Sequence, residues 1–138
     1  MIADLLGVPY LRGGLTEQGA DCWGLALLVR QRLGRAAPPA PPPVSAYDDP
    51  RQNRLVFDSA MAWVAATDDP QPGAFAAVMH RAACRHVGVV IDVDGRRCVL
   101  ETEVLGGVRW YTLDDFLSLH AKVVFYDDIA NLPERAER

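Results

Sequence analysis

The chain has 138 residues, half of them hydrophobic, and a net charge of −4 from 14 basic and 18 acidic residues. That is enough for one domain, residues 1–138, with a single core, and neither sign forms the long block that a nucleic-acid partner requires. No apolar run approaches the ~18 residues of a membrane span, and the opening MIADLLGVPYLRGG lacks the basic start and long apolar stretch of a signal peptide, so the chain is expected to be off the membrane and cytoplasmic when made.

Met1 to Val8 is a short apolar lead-in that reads as a helix end on the core. Pro9 and Tyr10 begin an extended turn, which Gly13 and Gly14 allow to bend sharply. Asp21 is a good N-cap residue, and Leu25, Leu28, Val29 and Leu33 recur at helical spacing up to Gly34, a natural stop. This predicts an amphipathic helix that begins at Cys22.

The prolines of RAAPPAPPPV remove the backbone donors that a helix or inner strand needs, leaving an extended connection over about 37–44. Leu55 to Ala66 places Val56, Ala60, Trp63 and Val64 on one helical face, which predicts a second, core-packing helix. DDPQPG is dense turn chemistry ahead of the strand candidate AFAAVM. His80 and Cys84 then fall in an expected loop before His86, which opens the alternating run HVGVVIDV.

Asp94-Gly95 is a two-residue hairpin signal, so Val93 should pair with Arg96. Counting outward, Gly88 faces Glu101 and His86 faces Glu103, which puts both glutamates on the His86 side of the sheet and Cys98 on the other. TLDD resembles an N-capping box that opens the short helix DDFLSLH, with His120 near its C-terminus, where a cation is favoured. KVVFY is a last strand before a polar tail at about 131–138.

Two of these residues carry chemistry together. A thiol in the first turn of a helix lies among unpaired backbone N–H groups at the positive end of the dipole, which favour a thiolate and can hold an oxyanion after attack on a carbonyl. Cys22 has that position, and His86 on a strand is the candidate base. On these features alone Cys22 reads equally well as a buried small hydrophobe and His86 as a strand-edge polar residue. The three cysteines Cys22, Cys84 and Cys98 have no CxxC or zinc spacing, which argues for reduced thiols and against a metal site.

The blocks GVPYLRGG, DCWGL with LVRQRLG, PQPGA before a strand, and HVGVVI resemble, in order, those of the NlpC/P60 cysteine peptidases, and in particular their short phage-tail-associated members. The resemblance covers about Leu6 to Tyr126. It implies an α+β, papain-like fold with the nucleophile helix packed on an antiparallel sheet, and amide hydrolysis without cofactor or metal. Cys22 would be the nucleophile, His86 the base, and Tyr10 a neighbour whose phenol helps hold the oxyanion. Matching VLETEVLGGV to the pattern puts Glu101 at the place of the residue that orients the base, where a carboxylate accepting Nδ1–H would fix the tautomer. Where these relatives have Asp after the PQPG glycine, this chain has Ala74, which puts local turn geometry in question. The implied substrate is the stem peptide of bacterial peptidoglycan, with phage tail proteins as further partners. The rival expectations are a non-enzymatic tail-assembly module with the same fold, and a related thiol amidase or acyltransferase.

Overall fold

The computed structural model describes residues 2–36, 63–81 and 83–131. A 3-10 turn at Ile2–Gly7 leads to the small antiparallel pair β1 (Leu15–Thr16) and β2 (Gly19–Ala20), then to helix α1 (Cys22–Arg32). The strands β3 (Val64–Ala66), β4 (Phe75–His80), β5 (Ala83–Val93), β6 (Arg96–Glu103), β7 (Gly107–Thr112) and β8 (Val123–Asp128) follow. A short helix, α2 (Leu113–Leu119), separates the last two strands. The six strands form one sheet in the order β3-β8-β4-β5-β6-β7, with every neighbouring pair antiparallel.

Local chemistry accounts for the limits of α1. Asp21 is the N-cap, its carboxylate accepting from Gly24 N at 2.8 Å, and the same side chain accepts from Gly13 N at 3.1 Å. At the other end Gly34 has φ +76°, with Gly34 N donating to Gln31 O and Arg35 N to Arg30 O, the pair of bonds that closes a Schellman motif. The expected amphipathic stripe is replaced by a helix buried on most of its surface, from Cys22 to Ala26 and again from Leu28 to Arg30. Leu33, counted as part of the stripe, is instead the exposed C-cap residue. The helix lies between the sheet and the N-terminal segment, so little of it meets solvent.

Both faces of the sheet are covered. On one, Leu25, Ala26 and Val29 of α1 pack with Phe75, Val89, Cys98 and Leu100; on the other, Phe116 of α2 packs with Ala76 and Val99. Alternation along each strand sorts the side chains between these two clusters.

The helix expected over Leu55 to Ala66 is corrected at its described end. Val64–Ala66 is strand β3, hydrogen-bonded to β8, and residues 55–62 lie outside the described residues. Pairing with the otherwise open edge of β8 outweighs helical periodicity in a three-residue segment. Trp63 sits in the turn before β3, edge-on to Phe75 with ring centroids 5.9 Å apart. The expected proline connection lies outside the described residues, as does the C-terminal tail after Asn131.

The DDPQPG turn holds its shape without the aspartate that Ala74 replaces. Arg30 donates to Gly73 O at 2.7 Å, Arg35 to Pro72 O and Arg97 to Pro70 O, each at 2.6 Å. Ala74 is fully buried, and Val90 N donates to its carbonyl. Arginines from the end of α1 and from β6 therefore do the work expected of a local cap.

Candidate active site

Cys22, as the first residue of α1, has the position the sequence predicts, and it is buried. The N-terminal segment is strapped to the residues just before it. Leu11 N donates to Ala20 O and Ala20 N to Pro9 O, both at 3.1 Å, which holds Tyr10 beside the helix start. The fit is close: a Cβ on Gly24 would lie 2.0 Å from Gly14 O, so only glycine lets the loop pass over the first turn of α1.

His86 is not at the start of its strand. β5 begins at Ala83, His80 is the last residue of β4, and Cys84 is a buried strand residue, so the expected loop over these positions is replaced by two paired strands. The register slips where Val78 pairs with His86 and Met79 with Cys84, leaving Arg85 as the extra residue of a β-bulge. Without the slip Cys84 and His86 would share a face. With it, Cys84 enters the cluster beneath α1 while His86 turns to the face that carries Glu101.

The hairpin register follows the Asp94-Gly95 turn, from Val93↔Arg96 to Val89↔Leu100, with both turn residues at positive φ. Beyond that register His86 reaches diagonally to Glu101, with 2.8 Å between Nε2 and Oε1. The nitrogen differs from expectation. Nε2, rather than Nδ1, meets the carboxylate, which leaves Nδ1 as the ring nitrogen for the Cys22 side, and interaction with that thiol is among the causes that raise the imidazole's pKa.

Burial by itself would push the His86 pKa down, but the hydrogen bonds and charges of Cys22 and Glu101 outweigh it and raise the value to about 10. Burial would likewise raise Glu101, yet the bonds from His86 and Arg109 hold it below its ordinary range. Glu101 is only 2% exposed, so this is an ionised carboxylate inside the protein with both oxygens engaged.

Cys22, His86 and Tyr10 line one cavity of about 420 Å³, together with Arg85, Thr102, Glu103, Val104 and Leu105. Leu105 is almost wholly exposed at its lip, and Thr102 contributes a buried hydroxyl without a hydrogen-bond partner. The other two thiols lie elsewhere: Cys84 donates to His86 O at 3.4 Å, and Cys98 is in the core beneath α1. Burial pushes Cys84 up to about 12 and raises Cys98 as well.

Two features escaped the sequence. Arg109 lies directly opposite Glu101 in the β6–β7 register and donates to its Oε2 at 3.0 Å; the signal was an opposite-charge cross-strand pair around the short turn at Val104, Leu105 and Gly106. His120, expected as a cation at a helix end, packs its ring 4.7 Å from Phe116 and 6.4 Å from His86, and burial pushes its pKa down. It is neutral packing behind the imidazole because the apolar contact with Phe116 outweighs the pull of the helix end.

No family model matches the chain, and no curated protein matches it in sequence. Among solved structures it is similar to the NlpC/p60 domain of the peptidoglycan hydrolase SagA, with a TM-score of 0.56 and 17% identity over 93% of this chain and 92% of that one. A likeness at that identity speaks for backbone architecture, and the six-stranded antiparallel sheet with its packed helices agrees with it. The chain has the α+β, papain-like fold of the NlpC/p60 domains.

Proposed function

We propose that the chain is a cysteine peptidase that hydrolyses amide bonds in the stem peptides of bacterial peptidoglycan. The observation that carries this reading is that Cys22 and His86 line one open cavity, with the buried Glu101 bonded to the imidazole at 2.8 Å. His86 takes the Cys22 proton, and the imidazolium is stabilised by Glu101. The thiolate attacks the amide carbonyl, and the resulting oxyanion is held by the Cys22 backbone N–H and the Tyr10 phenol. His86 then protonates the leaving amine, and water, deprotonated by the same imidazole, hydrolyses the thioester.

The peptidoglycan substrate is supported by the likeness to a peptidoglycan hydrolase domain and by the sequence blocks shared with these peptidases. Delivery with a phage or prophage tail, after synthesis in the cytoplasm, is part of the proposal on the strength of the sequence resemblance, and mass spectrometry of purified tail particles tests it. The activity is tested by digesting purified peptidoglycan with the wild-type chain and with Cys22→Ala, then identifying the released fragments by mass. Stem-peptide fragments from the wild type alone are the expected result. Release of nothing by a folded wild-type chain that does cleave simple amides or esters would overturn the substrate assignment and leave a thiol hydrolase of another specificity.

A further inference from the structure

A buried carboxylate beside the base creates an electrostatic problem. When Cys22 gives its proton to His86, the thiolate and imidazolium cancel, but ionised Glu101, itself only 2% exposed, leaves the set with one net negative charge. Such a charge is costly unless it is paired and hydrogen-bonded.

We propose that Arg109 is a positioning residue for the Cys22/His86 pair: it fixes Glu101 in the rotamer that meets His86 and supplies the charge that brings the reacting set to neutrality. The geometry is specific. Glu101 divides its oxygens, Oε1 to His86 at 2.8 Å and Oε2 to Arg109 Nε at 3.0 Å. Arg109 is itself fixed on its outer side, donating to Glu103 at 2.6 Å, with the Tyr111 ring 5.6 Å from its guanidinium carbon. Neither contact reaches the cavity's nucleophile, so Arg109 acts only through Glu101.

The remaining groups around Glu101 do not supply this charge. His120, at the end of α2, is held neutral by burial, and Glu103 carries the wrong sign. Arg85 is exposed on the cavity wall, whereas Arg109 makes the direct bond. Removing Arg109 frees the Glu101 rotamer and lets Glu101 take up a proton more readily, and both changes withdraw support from the imidazolium that accompanies the thiolate.

This inference rests on Cys22 as the nucleophile proposed above, so the test reads thiol chemistry separately from hydrolysis. The rate of Cys22 alkylation by iodoacetamide is followed against pH in wild type, Arg109→Gln, Glu101→Gln and the double variant, with kcat and KM on a cleaved peptide in parallel. Arg109→Gln is expected to move the acid limb of the alkylation profile up by about one pH unit and to lower kcat roughly tenfold with KM nearly unchanged. In the Glu101→Gln background the same change should move the limb by less than about 0.3 unit, since there is no carboxylate left to neutralise. Arg109→Lys should recover at least half of the shift.

Equal shifts in both backgrounds, or an unmoved limb in folded Arg109→Gln, would overturn the proposal. If Arg109→Gln shows no cooperative melt, Arg109→Lys decides: a limb displaced as far as in Glu101→Gln counts against the proposal, and one near wild type supports it. Coupled alkylation profiles without any wall hydrolysis would leave this inference standing and sink the peptidoglycan reading. Alkylation of Cys84 or Cys98 ahead of Cys22 would remove both.

Discussion

A thiol becomes a nucleophile through its surroundings, and the three cysteines here differ in theirs. Cys84 and Cys98 are buried thiols whose pKa is raised, whereas Cys22 combines a helix start, an imidazole partner and an open cavity. Iodoacetamide at mildly acidic pH should therefore label Cys22 first, as read by peptide mass, and Cys22→Ala should remove hydrolysis altogether. Glu101→Gln should cost less than Cys22→Ala, about 10- to 100-fold in kcat, because a neutral amide still orients the ring while losing the charge that supports it. His86 gives a pH signature. Its folded pKa of about 10 lies above the unfolded 6.5, so the stability it contributes is complete below pH 6.5 and is lost as pH rises through 10. Urea midpoints should fall across that window in wild type and fall less in His86→Ala. A ring titration seen by NMR at or below 6.5 would contradict the contact network.

At the scale of elements, the start of α1 is fixed by Asp21 and by a glycine contact. Gly24→Ala would drive a methyl group into Gly14 O, and since both partners are backbone there is no rotamer to relax. It should destabilise the fold by about 1–3 kcal/mol in chemical denaturation and lower activity more than that loss explains, because the displaced turn carries Cys22. The hairpin that delivers Glu101 was legible from Asp94-Gly95, since a two-residue turn fixes the pairing and alternation fixes the faces. The bulge at Arg85 was not legible, because it depends on the pairing of β5 with β4 and leaves no mark in β5's own periodicity. Nor was β3. A three-residue strand lies below the length at which period 2 separates from period 3.6, and its identity comes from the edge it covers.

Across the whole molecule, the least expected feature is Arg30, a 2% exposed guanidinium on the helix that begins at Cys22. It bonds Asp128 at 2.8 and 3.0 Å and Gly73 O at 2.7 Å, and lies over Trp63 and Phe75, tying α1, the turn before β4, and β8 together. Arg30→Met should cost about 1–3 kcal/mol in urea unfolding because it leaves the Gly73 carbonyl without this donor and Asp128 with Arg35 as its remaining partner, and Asp128→Asn in the same background should recover part of the loss. The sequence by itself determined what local physics determines: the start and end of α1, the Asp94-Gly95 turn and its register, and a thiol and an imidazole in contexts suited to chemistry. Those depend on caps, turn dihedrals and strand parity, all set within a few residues. The tertiary structure decided which ring nitrogen meets Glu101, how the buried carboxylate is neutralised by Arg109, and why Arg30 is inside. Each of these is a balance between desolvation and pairing among groups distant in the chain, and that balance exists only once the strands and helix are packed.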